Sequence, residues 1–283
     1  MRPSIRVPLL RLPLAAVLLA FCAAGCGTGG TGRSAAPSAA DAVLRAAEKT
    51  ERAASLRYRM TGRMPEQGRV RAEAVIGAEP PVARVRMTVL GGDQPGTWEL
   101  RLADGRLYES LPGHEVRQAH GRHWIDFGPT AKFRTGGGMK LDVAGLRDQA
   151  GRNPAREAAF LAASDDVRRV GAETVEGVHT THYSGTAGLD RLRAWSQRQD
   201  RTARERRGPS LDGYTRMGLD RLTLDVWVDD TGRVKRVRTQ GFGRHGELDL
   251  TVTFYDYGRP VTVRAPAAGD AVDLRKPPGK PRG

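Results

Sequence analysis

The chain of 283 residues carries 46 Lys and Arg against 32 Asp and Glu, a net charge of +14, and two cysteines. With 39% hydrophobic residues it can build a core of its own, which excludes a wholly disordered chain. The charge invites a nucleic-acid partner, but forty of the basic residues are Arg, six are Lys, and Asn153 is the only asparagine, a pattern of compositional Arg bias rather than of selected phosphate contacts.

The N-terminus argues against nucleic acid in a second way. Arg2, Arg6 and Arg11 precede an apolar run from Leu12 to Ala24, too short to span a membrane and laid out as an export signal. The segment Ala23-Ala24-Gly25-Cys26 resembles a bacterial lipobox, with Ala23 where Leu is usual. Residues 1–25 are therefore expected to be removed and Cys26 to be diacylated, with a plain secretory cut or a retained anchor helix as the alternatives. Cleavage lowers the net charge from +14 to +11 and leaves Cys26 as the one cysteine, so no internal disulfide is expected. Two acyl chains suffice for stable anchoring, where one is marginal.

Residues 26–40 read as a Gly/Ser/Ala tether, about 20 Å end to end on average. From Ser38 to Ser55 the spacing predicts a helix, capped by Ser38 and apolar along Val43, Leu44, Ala47, Ala54 and Leu56. The period then switches to two. Tyr58, Met60 and Met64 alternate with arginines; so do Val85, Met87 and Val89, then Trp98, Leu100 and Leu102. The same pattern returns in Leu222, Leu224, Val226 and Val228, and in Leu248, Leu250, Val252 and Phe254. These are strands with one apolar and one wet face. Asp104-Gly105 and Asp229-Asp230-Thr231-Gly232 read as hairpin turns. Two helical interludes are expected, Met139 to Ala163 with a break near Asn153-Pro154, and Leu189 to about Arg206. One domain is expected over residues 41–265, followed by a mobile basic tail over 266–283.

Motifs for chemistry are thin. His120 and His123 sit in a loop and a strand start, and His179 and His182 point to opposite faces of a strand, so neither pair reads as a metal site. Asp229-Asp230-Thr231-Gly232 lacks the later ligands of a calcium loop, and Gly136-Gly137-Gly138-Met139-Lys140 lacks the ending of a phosphate loop. There is no Gly-x-Ser-x-Gly elbow. No catalytic residue, metal or cofactor is assigned, and an enzyme is not expected. The cluster Arg191, Arg193, Arg198, Arg201, Arg204, Arg206 and Arg207 reads either as a solvated helix face or as a basic rim. For the rim, Arg191, Arg193, Arg198 and Arg201 are the candidates to meet anionic headgroups.

Three strings carry a resemblance: Glu176-Gly177-Val178-His179-Thr180-Thr181-His182-Tyr183, then Val226-Trp227-Val228-Asp229-Asp230-Thr231-Gly232-Arg233-Val234, and Phe254-Tyr255-Asp256-Tyr257-Gly258-Arg259-Pro260-Val261. With the lipobox, tether and first helix, they resemble actinobacterial cell-envelope lipoproteins of the LppX/LprG type, which share a LolA-like half-barrel. The resemblance covers roughly residues 40–275. It implies an α+β fold, a curved antiparallel sheet of about eleven strands with helices across its concave face, and an apolar cavity between them. It also implies a lipid or lipoglycan ligand, and it carries one residue over, Cys26.

The concave face is expected to present Val85, Met87, Val89, Trp98, Leu100, Leu224, Val226, Leu250 and Val252 to that ligand. The expected protein is a monomer, lipid-anchored at the outer face of the cytoplasmic membrane. The competing expectation is an envelope sensor or partner-binding module whose own helices fill the concavity.

Overall fold

Ser38 begins the ordered chain as its sequence predicts: its hydroxyl accepts from the Asp41 amide at 3.1 Å and caps helix α1, Ala39–Glu51. The structure, a computed structural model, describes residues 37–91, 95–129, 132–134, 140–142 and 153–274. The expected signal peptide, Cys26, most of the tether, the Gly136–Gly138 loop and the end of the basic tail lie outside them.

Strands β1 (Ser55–Met64), β2 (Gly68–Gly77), β3 (Val82–Val89), β4 (Gly96–Ala103) and β5 (Arg106–Ser110) follow α1 as a meander. Asp104 and Gly105, with φ of 51° and 69°, make the tight turn between β4 and β5. A short helix α2, Gly113–Gln118, stands where the sequence suggested a loop, and β6 is Trp124–Gly128. A separate ribbon pairs β7 (Lys132–Arg134) with β8 (Lys140–Asp142). The helix expected from Met139 is thus a strand at Lys140–Asp142, and what forms over Pro154–Ala163 is a 3-10 helix.

The second half runs β9 (Arg168–Val175), β10 (Val178–Gly188), α3 (Leu189–Gln197), α4 (Arg201–Arg216), β11 (Arg221–Asp229), β12 (Val234–Gly243), β13 (Gly246–Tyr255) and β14 (Ala271–Asp273). The single helix expected from Leu189 is two, because Asp200 accepts from the Ala203 amide at 2.8 Å and starts α4 afresh. Helix α4 also continues through Gly208 and Pro209 to Arg216, well past Arg206.

Twelve strands form one sheet in the order β14-β6-β5-β4-β3-β2-β1-β13-β12-β11-β10-β9. It is an open half-barrel of mixed type: neighbours are antiparallel except β14 with β6, where Ala271 faces Trp124 in parallel register. Residues 271–273, expected in the mobile tail, are therefore built into the sheet edge. Strand β1 sits in the middle, paired on one side with β2 and on the other with β13, so Tyr58 faces both Ala74 and Phe254.

The helices concentrate on one end of this sheet. The 3-10 helix packs on β10, β11 and β12, and α1 packs on the 3-10 helix, β9, β11 and β12. Ala155, Ala158, Ala159, Phe160 and Leu161 are fully buried between them. Phe160 meets Trp195 of α3 and Tyr214 of α4 edge-on, each at 6.5 Å.

Candidate functional site

Register assigns each strand residue to one of two faces. Across β1–β4 the row Met60, Ala72, Met87, Trp98 lies on the same side as the row Tyr58, Ala74, Val85, Leu100. Through β13, β12 and β11 this side continues as Val252, Val237 and Val226, and as Leu250, Thr239 and Leu224. All nine residues expected on the concave face therefore share one face, the one that carries the helices.

Their environments divide them. Leu224 and Val226 are completely buried beneath helices, and Val89 and Val252 are buried. Val85, Met87, Trp98, Leu100 and Leu250 are half-buried, as are Met60 and Met64 beside them. Ala72 and Ala74 lie in the floor between these larger side chains. The result is an apolar strip over β1–β4 whose short alanines are flanked by longer, half-covered methionine, valine, leucine and tryptophan. Such a surface accepts a flexible apolar chain without polar groups to desolvate. Burial pushes the Tyr58 phenol, in the same row, up to about 12, so it stays neutral.

At the far end of the strip stands Glu109 of β5, opposite Leu100 on β4 and Ile125 on β6. It is half-buried, and among the described residues it has no cationic partner. Burial, then the nearby Glu115, pushes its carboxyl above the ordinary range. Beyond it, Leu107 and Phe127 form a small separate cluster with Leu100, Ile125 and Leu274. Sequence reasoning picked the strip residues on β3 and β4 but passed over Met60, Met64, the alanines and Glu109. Alternation along β1 already placed both methionines on the correct face.

The arginine rim is mostly engaged by the protein itself. Arg191 donates to the Ala163 carbonyl and pairs with Asp165. Arg193 reaches Asp212 at 3.5 Å and the Thr215 hydroxyl, and Arg201 pairs with Glu205 at 2.8 Å. The Arg198 side chain makes no hydrogen bond or ion pair among the described residues. Arg207 is buried against Glu51 and stacks 5.3 Å above the Trp195 ring, so it is core rather than rim.

The histidines also find carboxylates. His123 pairs with Asp270 at 2.8 Å and His179 with Asp230 at 3.0 Å. His182 lies between Glu173 at 2.7 Å and Asp225 at 2.8 Å and stacks 4.3 Å from Trp227. The Trp227 indole donates to Glu173, and this bond, with His182, holds the Glu173 carboxyl below its ordinary range. The Asp229–Gly232 segment is a hairpin turn, with the Asp229 carboxylate accepting from the Arg233 amide at 2.9 Å.

No family model matches the chain. An uncharacterised 31.2 kDa protein of Streptomyces griseus is 30% identical over 187 residues, 66% of this chain and 59% of the relative. A Streptomyces coelicolor protein, provisionally named a lipoprotein, is 29% identical over 279 residues, 89% of this chain and 86% of that one. The lipoarabinomannan carrier protein LprG of Mycolicibacterium hassiacum is 28% identical over 241 residues, covering 82% of this chain and 86% of the carrier. The chain thus spans less than two thirds of the first relative and most of the other two. Among solved structures, LprF of Mycobacterium bovis aligns with 81% of this chain and 97% of its own, at 16% identity and a TM-score of 0.49.

Proposed function

We propose, from the premise that this chain is a homologue of actinobacterial lipoproteins that include LprG, that it is a non-enzymatic envelope lipoprotein which binds an acylated ligand along its inner sheet face. The observation that carries this reading is the half-covered apolar strip: Met60, Val85, Met87, Trp98 and Leu100 stay partly open while Leu224 and Val226, on the same face, are sealed. A protein with no apolar ligand has no need to leave so much sheet uncovered. The ligand's chains lie over Ala72 and Ala74, and Leu224 and Val226 serve as core.

Cys26, diacylated after removal of residues 1–25, tethers the domain to the outer face of the cytoplasmic membrane. The sealed half under the 3-10 helix supports a second reading, a partner-binding module without ligand. Native mass spectrometry of gently purified protein decides between them. An adduct with the mass of an acylated molecule is expected, and Met87→Glu should remove it. A clean ligand-free mass in repeated preparations overturns the carrier reading and favours the module.

A further inference from the structure

The opposite, wet face of the sheet has a cavity of its own, about 750 Å³, that the lipid reading leaves unused. A cleft on this face needs short side chains enclosed by long ones. Register supplies them: one row across four strands reads Arg71 on β2, Thr61 on β1, Thr251 on β13 and Arg238 on β12. Two short threonines form the floor and two long arginines the walls. Strand spacing puts the two wall positions about 14 Å apart. Arg69 stands beside Arg71 on one wall and Arg236 beside Arg238 on the other, and all four line the same cavity.

The charges are unevenly matched. Arg238 is held by Asp249 in a two-bonded fork at 2.9 and 2.7 Å, and Arg63 faces Glu247 at 3.4 Å. Arg236 donates to the Thr253 hydroxyl at 3.1 Å and has no carboxylate within ion-pair distance. Arg69 and Arg71 have no side-chain partner among the described residues, and neither do the hydroxyls of Thr61 and Thr251. Three arginines and two hydroxyls therefore direct unused donors into one concave space. An adjoining cavity of about 380 Å³ shares Thr61, Arg71, Arg236 and Thr251 and extends the cleft along the strands.

We infer that this cleft is a binding site for a water-borne ligand carrying two or more phosphate groups, held between the Arg69–Arg71 wall and Arg236 over the Thr61–Thr251 floor. Phosphate suits it better than carboxylate. A tetrahedral oxyanion presents oxygens to both walls and the floor at once, whereas a carboxylate accepts mainly in its own plane. A soluble or chain-borne phosphate suits it better than a bilayer, because a flat headgroup layer meets the exposed Arg69 and Arg71 of one wall, whereas a phosphate that enters the cleft also reaches the half-buried Arg236 and Thr251. The site is on the sheet face opposite the apolar strip and does not depend on the lipid-binding reading.

Titration calorimetry of the full chain with inorganic tripolyphosphate at 150 mM NaCl tests it. One saturable site is expected. The pair Arg69→Gln and Arg71→Gln should weaken it at least tenfold, and Thr61→Val with Thr251→Val several-fold with no change of charge. The pair Arg84→Gln and Arg86→Gln removes the same charge from neighbouring β3, outside the cleft, and should change affinity less than twofold. Equal losses in the two arginine pairs would reduce the effect to general electrostatic attraction and overturn the site. So would absent tripolyphosphate binding, or capture by phosphatidylglycerol vesicles alone. Retention of an acylated ligand should be unaffected by the cleft variants, so failure of one reading is distinguishable from failure of the other.

Discussion

Glu51 at the end of α1 and Arg207 inside α4 face each other at 3.5 Å with side chains only 5% and 2% exposed. They tie the first described helix to the last. The bond is not an ideal one: Glu51 Oε2 and Arg207 Nε are buried without hydrogen-bond partners, although Arg206 lies 3.6 Å from the same carboxylate. Removing one partner strands the other charge. Arg207→Leu should therefore cost about 3 kcal/mol in urea unfolding, and adding Glu51→Leu should recover most of it. A single variant as stable as the parent would mean that water or Arg206 satisfies Glu51 fully.

Gly62 is the glycine of β1 that no other residue can replace. Its φ is +147°, and a Cβ there would lie 1.9 Å from the Asp249 carbonyl oxygen on β13. Gly62→Ala must push apart the central strand pair, and a loss of about 2–4 kcal/mol is expected by thermal or chemical unfolding. Gly105→Ala is the control: its Cβ meets nothing, so only the positive φ of 69° is strained and the loss should be about 1 kcal/mol.

Glu109 should make the protein less stable at neutral pH than it could be. Its carboxyl is raised by burial and by Glu115, so its ionised form is the unfavourable one in the folded chain. The stability of the protonated form is present below the ordinary glutamate range and lost as pH rises through the higher folded value. Glu109→Gln is expected to be more stable than the parent at pH 7, and the gain should vanish near pH 4. Equal gains at both pH values would assign the effect to shape rather than charge.

Asp249 works in the opposite direction. Its hydrogen bonds from Arg238 hold its carboxyl below the usual aspartate range. Stability from this pair is complete above about pH 4 and falls away as pH drops through the lower folded value. Asp249→Asn should therefore be less stable at pH 7 and should show a shallower loss on acidification. An unchanged acid slope would mean that other carboxylates dominate it.

Anchoring can be checked separately. Cys26→Ser should release the protein from membranes or leave the longer precursor uncleaved, as read by fractionation and intact mass. Mature-length variant still bound to membranes would show that something other than acylation holds it.

The strands were legible because one face is apolar and one is wet, a pattern that Val85, Met87 and Val89 display against Arg84, Arg86 and Thr88. Ser38 and Asp104-Gly105 were legible because cap and turn chemistry are local. The helical interludes were less so. Pro154–Ala163 is helical as expected after the Asn153-Pro154 break, but in 3-10 form, and a strand at Lys140–Asp142 stands where the same interlude was expected to begin. Pro209 reads as a stop but is tolerated within α4, and Asp200 was readable as a cap only once the break was known. Least visible was the cleft. Arg71, Thr61, Thr251 and Arg238 come from four strands, two near each end of the chain, and only register brings them into a row.

The pairing of β1 with β13 has a consequence for how the chain assembles. Arg57 meets Tyr255, so the central strand waits for almost the last strand before its second edge is closed. Until then the meander β1–β6 presents an open hydrogen-bonding edge with an apolar face beside it. Such long-range closure makes folding slow, which suits the proposed export, in which a chain crosses the membrane unfolded and assembles on the far side. It also means that a product cut short before Gly246 exposes two unpaired edges at once, those of β1 and β12, each a template for aggregation.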